Sequence, residues 1–103
     1  MKRVIGIDIE TYDPDLKTRG TSWVYGNGYV ICTSLYDAQT GKKRVYKGAP
    51  KAVAELMLNE DVVLIGHNII YDIGWLEYTL KIKTKAELLD TCIAEAHLDE
   101  VVS

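Results

Sequence analysis

Asp8 and Glu10 stand two residues apart in the run Arg3-Val4-Ile5-Gly6-Ile7-Asp8-Ile9-Glu10-Thr11 near the start of the chain. On a β-strand, side chains at i and i+2 share a face, about 6.5 Å apart along the backbone. Ile5, Ile7 and Ile9 then fill one face with β-branched residues, and Val4, Gly6, Asp8 and Glu10 occupy the other. Two neighbouring carboxylates on a core strand repel each other and lose hydration. A divalent cation relieves both costs, and hard oxygen ligands suit Mg²⁺ or Mn²⁺, the ions of phosphate chemistry. The alternative is a strand that ends at Ile7 and leaves both acids in a solvated turn.

A second constellation lies on a predicted helix from Asn68 to Leu80. Ile69, Ile73, Leu76 and Leu80 form its apolar stripe. At about 100° per residue, Asn68, Asp72, Trp75 and Thr79 share a face beside that stripe. Gly66 and His67 join this helix tightly to the apolar run Val62-Val63-Leu64-Ile65. If that run neighbours the first strand, Asp72 approaches Asp8 and Glu10, and three carboxylates converge. Asn68 has a rival role as a helix cap. Trp75 has one in packing, and Tyr71 is expected to be partly packed with its hydroxyl seeking a partner.

The elements that must position these groups fit one domain of 103 residues. Tyr12 to Gly28 is polar, glycine-containing and aperiodic, and reads as a long loop. Tyr29 to Tyr36 reads as a second strand, Asp37 to Gly41 as a turn, and Lys43 to Lys47 as a third strand closing a hairpin. Pro50 opens a helix carrying Val53, Leu56 and Met57. Val62 to Gly66 has the continuous apolar character of a parallel strand covered on both faces. A short extended piece is expected near Lys81 to Lys83, and Asp90 is expected to cap a last helix running through Ile93 and Ala96. The order β-β-β-α-β-α-(β)-α predicts an α/β domain with a mixed sheet. The ending Val101-Val102-Ser103 brings no closing element and reads as a cut.

Composition narrows the function classes. With 48% hydrophobic and 26% charged residues the chain reads as a soluble globular domain. Its net charge of −3 argues against a protein held on nucleic acid by bulk positive charge, so any such contact must be local. The clusters Lys42, Lys43, Arg44, Lys47 and Lys81, Lys83, Lys85 are expected to be solvated faces. No stretch approaches the ~18 apolar residues of a membrane span, and Asp8 and Glu10 interrupt any signal-peptide reading. Cys32, Cys92, His67 and His97 lack zinc-ligand spacing, which favours two buried free thiols in a reducing compartment. No G-x-G-x-x-G follows the first strand, so a dinucleotide site is disfavoured. The run Val4 to Ile9 is similar to the opening of sugar kinases and actin-like ATPases, but Glu10 stands where phosphate binding needs a glycine.

Asp8-Ile9-Glu10-Thr11 resembles the first motif, D-x-E-T, of the DEDD (DnaQ-like) 3′–5′ exonucleases. His67-Asn68-Ile69-Ile70-Tyr71-Asp72 resembles their second motif, and Asp90-Thr91 before a helix is typical of that position. Within the family, Tyr12-Asp13-Pro14-Asp15-Leu16, Trp23 and Gly26-Asn27-Gly28-Tyr29-Val30 look most like proofreading domains of phage-type and bacterial family A DNA polymerases. The resemblance implies a ribonuclease-H-like mixed sheet flanked by helices, over residues 1–103 as a single partial domain. It implies two Mg²⁺ or Mn²⁺ ions held by Asp8, Glu10 and Asp72, with Thr11, Asn68 and Tyr71 meeting the terminal nucleotide of single-stranded DNA. RNA is left as an alternative substrate. A polymerase domain in cis, no membrane partner, the cytoplasm of a bacterial or phage-infected cell, and a homodimer contact along a truncated edge complete the expectation. The family's third motif, Y-x-x-x-D or H-x-x-x-D, has no match. Val101 stands four residues after His97, Ile82 four after Tyr78, and Asp99 follows His97 by only two. The chain alone is therefore expected to be weak or inactive. The rival is a catalytically silent module that binds nucleic acid or a polymerase.

Overall fold

Ten residues alternating between two faces form the first strand, β1 (Arg3–Tyr12), in the computed structural model, which describes residues 2–91. Ile5, Ile7 and Ile9 are buried, and Asp8, Glu10 and Tyr12 are exposed on the other side. The strand thus runs well past Ile7, and both acids belong to it. β2 (Tyr29–Asp37) lies antiparallel to β1, and β3 (Lys43–Lys47) antiparallel to β2. The hairpin turn is pinned by Asp37, whose Oδ1 accepts the backbone N–H groups of Gln39 and Thr40 at 2.9 and 3.3 Å.

α2 (Lys51–Met57) starts after Pro50, where the missing N–H costs nothing. β4 (Val62–Gly66) runs parallel to β1, α3 (Ile69–Leu80) follows, and β5 (Glu87–Asp90) runs parallel to β4. The five-stranded sheet has the order β3-β2-β1-β4-β5. The loop between β1 and β2 is more structured than its composition suggests: it contains a short helix, α1 (Leu16–Arg19), and a 3₁₀ turn, Ser22–Tyr25.

One core fills one side of the sheet. Val53 and Met57 of α2, with Ile69, Ile73, Trp75 and Leu76 of α3, pack on the β1 isoleucines and on Val62 and Leu64. Among the described residues, the elements that cover β4 lie on one of its faces. Val63 and Ile65, on the opposite face, are only partly covered, and Tyr36, Val45 and Leu89 on that same face of the sheet are exposed. A continuous apolar run reports affinity for burial but not which elements supply it.

The expected extended piece at Lys81 to Lys83 is also displaced. Lys81 takes a left-handed conformation (φ 56°) that ends α3, and the fifth strand forms only at Glu87–Asp90. The backbone N–H groups of Lys85 and Ala86 both donate to the Met57 carbonyl, at 2.8 and 3.0 Å, and this tether aims the chain back into the sheet. Asp90 closes β5 and Thr91 is helical. Ile93 and Ala96 of the expected last helix, Cys92, His97, Asp99 and Val101 lie outside the described residues.

Candidate functional site

The site grows out of a step in the sheet. β4 pairs with β1 only as far as Ile65 opposite Gly6, while β1 continues to Tyr12. α3 begins where β4 stops, and its Asp72 serves the vacated strand edge by accepting the backbone N–H of Ile9. Asp72 is 5% exposed, and its Oδ2 has no hydrogen-bond partner. Burial first, then the Asp8 charge and the Asp90 charge, push its carboxyl up to about 7 against the opposing Ile9 N–H. A buried carboxyl with one unmet oxygen beside a second acid demands a proton or a cation.

Asp8 and Asp72 are therefore brought together. Glu10, one side-chain step along the same face as Asp8, is exposed, and its Oε2 accepts the Cys32 thiol at 3.9 Å. Among the described residues, no three His, Cys, Asp or Glu side chains form a group that could hold a metal ion as they lie. The expected meeting of three carboxylates is thus reached by two, and Glu10 does not close it. The donor chemistry of Asp8, Glu10 and Asp72 is entirely hard oxygen, and the orphaned Oδ2 is a demand that a divalent cation would meet, so the residues suit Mg²⁺ or Mn²⁺.

Thr11 and Tyr71 meet each other, with their hydroxyls 3.0 Å apart. The Tyr71 O–H donates to Asp13 Oδ2 at 2.7 Å, so its single proton is committed and Thr11 must be the donor to the Tyr71 oxygen. Burial raises the Tyr71 pKa, and the neighbouring Asp13 acts in the same direction. Trp75 Nε1 also donates to Asp13 Oδ2, at 3.3 Å, and the Ser22 backbone N–H donates to Oδ1 at 2.8 Å. Burial pushes Asp13 up, but these hydrogen bonds outweigh it and hold the carboxyl below its ordinary range. Thr11 and Tyr71, expected to meet a nucleotide, thus spend their hydroxyls holding the β1–β2 loop against α3.

Asn68 does not cap α3 with its side chain. It sits in the left-handed region (φ 56°), is exposed, and makes no side-chain capping bond. Asp90 holds that helix start instead, accepting the backbone N–H of Asn68 at 3.0 Å and of Ile69 at 3.3 Å. The helix that Asp90 is expected to cap lies outside the described residues, and within them its two oxygens serve the start of α3. Trp75 is fully buried packing, and Cys32 is a half-buried free thiol.

Sequence reasoning assigned no site role to Asp13 or to the pair Tyr12 and Tyr29. Asp13 gives only turn chemistry before Pro14, since Tyr71 and Trp75 are 58 and 62 residues away. The two tyrosines pair across β1 and β2 with ring centroids 5.5 Å apart. A strand extended to Tyr12 would have placed its ring on the Asp8/Glu10 face.

No protein-family model matches the chain, and no curated protein matches it. Its fold is similar to that of a solved structure described as the apo form of a nuclease, with a TM-score of 0.71 at 19% identity. The match covers 97% of this chain and 45% of the nuclease, so the chain spans less than half of that protein's length. The mixed five-stranded sheet with its helices is consistent with a ribonuclease-H-like fold. No helix among the described residues is long and apolar enough to cross a membrane.

Proposed function

We propose that this chain is part of a metal-dependent nuclease that hydrolyses the terminal phosphodiester of single-stranded DNA in the 3′–5′ direction, as a proofreading exonuclease does. The observation that carries the reading is the buried, half-unpartnered Asp72 beside Asp8, where β1 runs on past its pairing with β4. The nuclease-like fold and the D-x-E-T run at Asp8 to Thr11 support it.

Asp8, Glu10 and Asp72 would hold the divalent ions, which when bound supply a polarised phosphate and a hydroxide near neutral pH. Asp8 and Glu10 point from the open face, where a strand end has access. Asp72 acts from the helix side, where the Ile9 N–H holds it and Oδ2 is left buried without a partner. The exposed Asn68 side chain stands free of capping duty and suits a contact to the terminal nucleotide. Thr11 and Tyr71 contribute by shape, since their hydroxyls are occupied. The family's third-motif carboxylate has no counterpart in the 103 residues, so cleavage by this chain is expected to be slow.

The test is Mn²⁺- and Mg²⁺-dependent shortening of a 5′-labelled single-stranded oligonucleotide, with Asp8→Ala and a chelator as controls. The expected result is Asp8-dependent Mn²⁺ binding with a faint ladder descending from the 3′ end. An intact oligonucleotide together with Mn²⁺ binding indifferent to Asp8→Ala would overturn the reading. A second reading, a silent binding module, is favoured by the lack of a three-ligand group among the described residues. It predicts strand binding that survives loss of both Asp8 and Glu10.

A further inference from the structure

Tyr12 follows Asp8 and Glu10 at two-residue steps on the same face of β1, and all three are exposed. Across the sheet, Ser34, Cys32 and Tyr29 stand opposite them in register. The row of acids therefore ends in an aromatic pair. Tyr12 is 51% exposed and Tyr29 61%, with ring centroids 5.5 Å apart and planes tilted by 46°. Two large rings left that open to water are not there for the core, which lies on the other side of the sheet.

The local backbone singles out the same place. The register between β1 and β2 slips between Glu10 and Thr11, so that Ile31 is the extra, unpaired residue of a β-bulge. A bulge increases the local twist and re-aims the side chains that follow. Here it falls between the acids and the rings. Gly28, with φ +77°, packs its Cα against the Tyr12 carbonyl and the Trp75 ring, which fixes the chain immediately before Tyr29.

We propose that Tyr12 and Tyr29 form a stacking platform for the bases flanking the scissile phosphate of a single-stranded 3′ end. The proposal rests on the nuclease reading and supplies what that reading leaves open, namely how the strand is gripped. The net charge of −3 gives no general attraction to phosphate, so affinity has to come from local contacts. Base–aromatic stacking is such a contact, tolerant of sequence and confined to unpaired strands because a base in a duplex has no free face. One strand step separates Glu10 from Tyr12, about 6.5 Å, so a base on the rings leaves its phosphate beside the carboxylates.

The test measures binding of 5′-fluorescein dT₁₀ in Mg²⁺ by anisotropy, alongside the same oligonucleotide with abasic residues at its last two positions. Tyr12→Ala and Tyr29→Ala are expected to weaken dT₁₀ binding roughly 5- to 100-fold, with Tyr12→Trp close to wild type. The abasic oligonucleotide is expected to bind wild type and variants equally weakly. Both rings are exposed, so the alanine variants keep the far-ultraviolet circular dichroism of the wild type. If the alanine variants bind dT₁₀ like wild type while Asp8→Ala still abolishes Mn²⁺-dependent shortening, the platform is refuted and the nuclease reading stands. If the tyrosine variants lose base-dependent binding while the oligonucleotide stays intact and Mn²⁺ binding is indifferent to Asp8→Ala, the platform stands and the nuclease reading falls. A wild-type chain that does not bind dT₁₀ overturns the platform, and overturns the nuclease reading too if the oligonucleotide stays intact and Mn²⁺ binding is indifferent to Asp8→Ala.

Discussion

Asp90 closes the gap between the end of β5 and the start of α3: its Oδ1 accepts the backbone N–H of Asn68 at 3.0 Å, across 22 residues of sequence. Its second oxygen takes the next N–H, from Ile69, at 3.3 Å. A carboxylate on a helix N-terminus satisfies orphan donors and complements the helix dipole. The arrangement also leaves the Asn68 side chain unspent, and it keeps a third negative charge near Asp72.

Replacing Asp90 by Ala is expected to cost about 1–2 kcal/mol of stability, from a lost cap and two bare N–H groups. Asp90→Asn should lose less, because one oxygen can still accept. Both variants should lower the Asp72 pKa by removing a neighbouring charge. Urea unfolding reads the first effect, and the carboxyl ¹³C shift of Asp72 across a pH titration reads the second.

The Asp72 carboxyl is raised from 3.8 to about 7 in the folded chain. Between those values the folded state keeps a proton that the unfolded chain has released, so stability falls as pH rises through that window and levels off above it. The slope is at most ~1.4 kcal/mol per pH unit. Asp72→Asn should flatten the dependence and be more stable than wild type at pH 8, as measured by urea unfolding at pH 5 through 8. Wild-type stability that rises over this range would contradict the placement of Asp72.

Asp13 works in the opposite sense. Its carboxyl lies below the ordinary value because Ser22, Tyr71 and Trp75 donate to it. The stability it contributes is present above the unfolded carboxyl pKa and is lost as pH falls through its lower folded value. Asp13→Ala should release the loop from α3 at neutral pH. Trypsin cleavage at Lys17 and Arg19 should then quicken on the order of 10-fold, while the sheet keeps its hydrogen-exchange protection. Tyr71→Phe removes one of the three donors and should give a smaller effect, about 1 kcal/mol.

Two glycines of the same loop separate backbone strain from close approach. Gly20 has φ +94° with nothing near a Cβ, whereas at Gly28 (φ +77°) a Cβ would lie 2.2 Å from the Tyr12 carbonyl and 2.8 Å from the Trp75 ring. Gly20→Ala should cost about 1 kcal/mol and Gly28→Ala about 2–4 kcal/mol. Thermal unfolding of the pair checks the difference.

What the sequence disclosed follows from how local each signal is. β3 at Lys43–Lys47 and β4 at Val62–Gly66 are legible to the residue, because turn chemistry or glycine bounds each run. α3 is legible from its isoleucine stripe, and Asp72 could be placed beside the core from the same wheel. β5 is not, since Glu87 and Asp90 bracket only two leucines in an edge strand that exists through its pairing with β4. The order in the β1–β2 loop is hidden as well, because Asp13 finds its partners on a helix that the chain has not yet made. The aromatic pair was missed for a simpler reason: β1 extends to Tyr12, and the loop was expected to begin there.

The single hydrogen bond from Ile9 to Asp72 gives the domain a spectroscopic handle. An amide proton that points at a carboxylate shifts when that carboxylate gains a proton or captures an ion, and it sits in the middle of an otherwise rigid strand. In a ¹⁵N-labelled sample the Ile9 cross-peak should therefore act as an internal gauge of the state of Asp72. It could be followed without a substrate, a label on the site or a change of sequence.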